Sequence, residues 1–167
     1  MFKFKKGFTL IELLVVIAVI GVLAVAVLST INPIEQINKA KDTASKSDAS
    51  EFLNAAERYF ATFGCYPWDL GTGTSCPVPY SPTAMGATAI GTMDGTFVEL
   101  EAKNELKTQF KTRVANQDTT TGKNSLIVSV DAGNLTHVCF LPSSKTFATQ
   151  ANGDATGGTG TTHVCVP

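Results

Sequence analysis

Polar and apolar residues fall into three blocks along this chain. From Leu13 to Leu28 every residue is apolar or glycine, and with Ser29, Thr30 and Ile31 the weakly polar run reaches nineteen residues. As a helix that is about 28 Å at ~1.5 Å per residue, close to the roughly 30 Å of a hydrocarbon core. The second block is amphipathic. Ala49, Phe52, Leu53, Ala56, Tyr59, Phe60 and Phe63 recur at helical spacing and predict a core-facing stripe, with Asp48, Glu51, Arg58 and Thr62 largely opposite. Between the blocks, Asn32-Pro33 predicts a kink or an unwound stretch over residues 29–33, because proline removes a backbone hydrogen bond and clashes with the preceding turn. Gly21 is a second weak point in the helix. Gly64 reads as the C-cap that ends it.

The third block alternates. Ser125–Val130 and Leu135–Leu141 read as strands of a hairpin about Asp131–Asn134, and Thr162–Val166 repeats Thr136–Cys139 almost letter for letter. Strand alternation puts His137 and Cys139 on one face, and likewise His163 and Cys165. Phe97–Arg113 predicts one short helix with Leu106 and Phe110 inward. Residues 77–96, where prolines and glycines mix without period, predict a surface loop. The expected fold class is α+β: a long N-terminal helix, membrane-spanning then amphipathic, packed on a small antiparallel sheet. Counted from Phe8 the helix covers about 56 residues or ~84 Å, a lollipop stem.

Charge sharpens the first block. Residues 7–34 carry one charged side chain, Glu12, while Lys3, Lys5 and Lys6 precede it and should hold that end in the cytoplasm. A plain transmembrane anchor is one reading. A secretory signal peptide is another, since Ala24-Val25-Ala26 mimics its cleavage site, although the apolar run continues through Val27 and Leu28. The third reading turns on Glu12, whose carboxylate costs about 2.5–3.5 kcal/mol at a bilayer centre and less toward the end. Neither an anchor nor a signal peptide uses it. A cut between Gly7 and Phe8 supplies a use: the new α-amine, largely cationic at physiological pH, pairs with Glu12 of a neighbouring helix and sets its register.

Lys6-Gly7 followed by Phe8-Thr9-Leu10-Ile11-Glu12-Leu13-Leu14-Val15-Val16 closely resembles the class III signal of type IV prepilins and pseudopilins. The resemblance covers residues 5 to about 40 and implies cleavage after Gly7 by a prepilin peptidase, N-methylation of Phe8, and a Glu12 contact with the neighbour's Phe8 amine. It implies a leader (1–7), a transmembrane assembly helix (8–31), an amphipathic stem (32–63) and a globular head (64–167), the arrangement of a pilin-like lollipop. The implied partners are further copies in a helical filament, the peptidase, and an assembly platform with its ATPase. The implied location is the inner membrane, with the N-terminus cytoplasmic, followed by an extracellular pilus or a periplasmic pseudopilus. Gly64-Cys65-Tyr66-Pro67 looks like the Gly-x-Tyr-Pro turn of major pseudopilins and several pilins, and a type II secretion pseudopilin is the alternative; a monomeric, membrane-anchored binding protein is the more distant one.

Four cysteines, all beyond the apolar run, suit an oxidising space, though reduced core thiols remain open. Cys65 and Cys76 bracket a Gly/Thr-rich loop that one disulfide would staple. Cys139 and Cys165 can meet if their strands pair; a disulfide there resembles the C-terminal loop of many pilins, and a His2Cys2 zinc site is the alternative. Asp154, in a Gly/Thr-rich loop, is a weak calcium candidate, far short of the oxygens that ion needs. No cofactor is expected. Net charge is −1; removing Lys3, Lys5 and Lys6 leaves ten basic against fourteen acidic side chains, −4, which does not attract nucleic acid. No nucleophile motif or phosphate loop is present, and the chain reads as non-enzymatic.

Overall fold

The computed structural model describes residues 7–30, 32–70, 75–77, 79–81, 85–115, 123–131, 133–155 and 160–166. The chain divides into two compact units, residues 1–34 and 35–167. Most of the amphipathic helix thus belongs with the residues after it.

In the first unit, α1 (Leu10–Thr30) runs unbroken through Gly21. The break expected at Gly21 does not occur in the single chain: one interior glycine weakens a helix by roughly 1 kcal/mol but leaves its hydrogen bonds intact. At Pro33 the expectation is met differently. The helix ends at Thr30 and α2 (Pro33–Phe63) starts on the proline, at the first-turn position where the missing N–H is not needed. Ser29 and Thr30 each donate a hydroxyl to the carbonyl three residues back, at 2.8 and 2.7 Å, so the last polar side chains fold onto their own backbone.

The second unit is α+β. From Glu35 onward α2 packs its stripe on a four-stranded antiparallel sheet of order β1-β2-β3-β4: Met85–Ala89, Leu126–Val130, Thr136–Phe140 and Val164–Val166. Ala49, Phe52, Leu53 and Tyr59 share one core with Leu126, Val128, Val138, Phe140 and Val164. Phe60 and Phe63, read as stripe members, lie at its exposed edge. Gly64 ends α2 at φ 81°, a conformation in which a side chain would be strained.

Residues 77–96 are not all loop. They hold β1, which pairs through its backbone with β2, and a short 3-10 turn, Ile90–Thr92, that buries Ile90. The single helix expected over Phe97–Arg113 is two, α3 (Asp94–Ala102) and α4 (Thr108–Ala115), because Asn104 turns the chain at φ 60°. Leu106 and Phe110 do face inward. A short helix, α5 (Lys145–Ala148), follows β3.

The last strand is short but its outer edge is not bare. The Asn152 side chain accepts a hydrogen bond from the Cys165 N–H at 2.8 Å and donates to the Cys165 carbonyl at 3.2 Å. Gly160 approaches Asp154 so closely that an added Cβ would meet its backbone nitrogen at 2.7 Å, so this return path requires glycine.

Candidate functional site

The start of α1 is the first candidate. A helix leaves its first N–H groups without partners, and away from water each such group is expensive. Here Thr9 donates its N–H and its hydroxyl to one Glu12 carboxylate oxygen, Oε2, at 2.8 and 2.7 Å. The Glu12 N–H returns a bond to the Thr9 hydroxyl at 3.3 Å. This is a reciprocal capping box, threonine at the cap and glutamate three residues on. The sequence reading gave Glu12 no purpose in a lone helix; it has one, and the Thr-x-x-Glu spacing before an apolar run was the signal for it. Oε1 makes no hydrogen bond among the described residues. Phe8, the expected new terminus, is 83% exposed, and α1 buries none of its side chains. Of the expected leader, residues 1–6 lie outside the described residues, as does Ile31 at the end of the expected assembly helix.

Acidic side chains fasten α2 to the rest of the second unit. Asp42, fully buried, accepts from the Asn124 amide (2.7 Å), the Ser143 and Ser144 N–H groups (both 2.8 Å) and the Ser144 hydroxyl (2.5 Å). One oxygen of Glu35 accepts from the Lys145 N–H at 2.8 Å, at the start of α5. Asp48, expected on the solvent side, is instead buried: Arg113 of α4 reaches over it and bonds both Asp48 and Glu51, at 2.8 and 2.6 Å. Burial raises the Asp48 carboxyl above its ordinary pKa, against the pull of Arg113. Such acids on an amphipathic helix look like solvent residues in a sequence, because their partners come from remote segments.

Two disulfides close the chain among the described cysteines. Cys65 is bonded to Cys76, and Cys139 to Cys165, whose Cα atoms lie 4.0 Å apart as register partners on β3 and β4. With both sulfurs bonded, the two-cysteine, two-histidine zinc alternative has no thiolate ligands. His137 Nε2 lies 3.4 Å from Asp131, and Thr162 Oγ1 is 2.9 Å from His163 Nδ1. Burial pushes the His163 pKa down, with Asp154 opposing it. Among the described residues no three His, Cys, Asp or Glu side chains gather as a metal group. A groove of about 600 Å³ between α2 and the α3–α4 segment is open and is crossed by the Arg58–Glu105 ion pair at 2.8 Å.

No curated protein and no solved structure shows significant similarity to the chain. One family model does match, at residues 2–28: the prokaryotic N-terminal methylation motif. Proteins bearing it are structural, and with α1 long and apolar enough to cross a membrane it fits an inner-membrane precursor of a pilin-like secreted subunit. By that match and by the lone acid that caps an otherwise unbroken apolar helix, residues 2–28 are the class III signal of type IV pilins and pseudopilins.

Proposed function

We propose that this chain is the repeating subunit of a type IV pilus-like extracellular filament. The observation that carries the reading is α1, a largely apolar helix of 21 residues, none of them buried among the described residues. Surface of that kind needs lipid first and other copies later. A prepilin peptidase removes residues 1–7, Phe8 is methylated, and the assembly platform with its ATPase draws the helix out of the inner membrane into a bundle of copies. Residues 8–31 form the assembly helix, 32–63 the stem and 64–167 the head, and Gly21 is where α1 would yield on packing. The capping box is compatible with this scheme. Oε2 of Glu12 holds Thr9, which leaves Oε1 for the Phe8 amine of the neighbour. A pseudopilus of a type II secretion system is the second reading, favoured by the Gly64-x-Tyr66-Pro67 turn.

The box and the charge pair can be separated. Glu12→Gln keeps the box, in which glutamine also serves, but removes the charge. Thr9→Val removes the hydroxyl and keeps the charge. Imaging cells for surface fibres should show none with Glu12→Gln or Glu12→Ala, and fibres at reduced yield with Thr9→Val. Abundant fibres from Glu12→Gln would reject the charge pair and leave capping as the acid's whole purpose. Processing is checked by mass spectrometry of the mature N-terminus, expected at methylated Phe8. An intact Met1, or a start at Val27, rejects it.

A further inference from the structure

One line along α2 faces away from the core it helps to form. Lys39, Lys46 and Glu57 are separated by seven and eleven residues, close to two and three whole turns at ~3.6 residues per turn. All three are exposed, to one side of the buried stripe that runs through Ala49, Phe52, Ala56 and Tyr59. Among the described residues none of them forms an ion pair, whereas Arg58, Lys103, Lys111 and Arg113 all do. Between the charges the surface is small and polar. Thr43 and Ser50 turn their hydroxyls back onto the Lys39 and Lys46 carbonyls, at 2.8 and 3.0 Å. Another helix can therefore approach without displacing long side chains.

A bare line that is positive in its first half and negative in its second complements a parallel, staggered copy of itself. We infer that Lys46 of one copy pairs with Glu57 of the next along parallel α2 helices, fixing the axial stagger of the assembly. The inference rests on the filament reading. Eleven residues at ~1.5 Å set that stagger at about 16 Å. In this register Thr43 faces Asn54 and Ser50 faces Ala61, and no like charges on the line oppose each other. Parallel helices wound about a common axis present the same face inward, as in coiled coils, so one line can serve both sides of the contact. The contact is head-to-tail and does not close, as an open filament requires. An exposed pair of this kind contributes register more than strength.

The test is charge reversal in cells that process the full chain. Lys46→Glu and Glu57→Lys should each lower fibre yield about tenfold or more, by setting like charges together, and the double reversal should recover most of it. Thermal unfolding of the processed full chain in detergent checks that each variant still folds. A zero-length carbodiimide cross-linker applied to wild-type fibres gives a second readout that needs no variant. A Lys46–Glu57 link is expected, and within one chain these residues are about 16 Å apart on a rigid helix, so the link reports two copies. Wild-type yields from both single reversals, or fibres whose only links join other pairs such as Lys39–Glu57, overturn the assigned register and leave the filament reading standing. A processed wild-type chain that forms no fibre removes both.

Discussion

The two long helices of this chain solve opposite problems. α1 is apolar along most of its 21 residues and buries none of them; α2 is polar on average, yet nine of its residues are buried. None of the apolar helix's residues is buried among the described residues, while the mixed one has a sheet, two helices and a ring of hydrogen bonds. Hydrophobicity alone therefore does not tell where a core will form. Pattern does: α2 gathers its apolar groups on one side and spaces acids so that remote backbone can reach them. α1 is greasy on every side, which suits surroundings that are themselves apolar all round.

That contrast can be broken by substitution, with thermal or denaturant unfolding of the second unit as the measurement. Phe52→Ala should destabilise it most, by about 4 kcal/mol, since the ring is fully buried against Phe97, Phe110 and Trp68. Leu14→Ala in α1 should change it by less than about 0.5 kcal/mol, because Leu14 is exposed. Replacing Cys139 and Cys165 together by serine should come next, at about 3.5 kcal/mol for a loop of 26 residues in the chain-entropy view. Asp42→Ala leaves Asn124, Ser143 and Ser144 without their acceptor in the interior and should cost about 3 kcal/mol. A loss under about 1 kcal/mol there would mean that the apolar stripe alone holds α2 in place.

The smallest effect concerns Tyr59, which is buried and donates its hydroxyl to Glu99 at 2.9 Å. Tyr59→Phe should cost about 1 kcal/mol. Burial first, then the neighbouring Glu99, pushes the Tyr59 pKa up to about 12. A folded-state pKa above the unfolded one means that the contribution is whole below the ordinary pKa of about 10 and disappears as pH rises through 12. The wild-type protein should accordingly lose stability between those values, and the phenylalanine variant should lose less. Identical alkaline profiles would show that the hydroxyl–carboxylate bond contributes nothing.

The parts that were legible in the sequence are the periodic ones. The apolar run and the stripe through Phe52 and Tyr59 declare themselves because burial repeats with the helix. The hairpin of β2 and β3 does so because its apolar residues alternate. β1 was not legible: in Met85-Gly-Ala-Thr-Ala89 only Met85 brings a large side chain to the edge of the core, and the rest pairs with β2 through its backbone, which leaves no periodic trace. Asp48 was misplaced because helical phase cannot foresee an arginine arriving from 65 residues later. At the α1 start, the acid drew attention but its partner Thr9 did not, since a hydroxyl on the second residue after the expected cut looks unremarkable beside a charge.

A sheet that stops at a three-residue strand ordinarily offers its border to whatever extended segment drifts by. The carboxamide of Asn152, laid across Cys165, occupies that border as a one-residue stand-in for a fifth strand. Molecules crowded shoulder to shoulder at high local density would then slide past one another along this margin instead of zipping together.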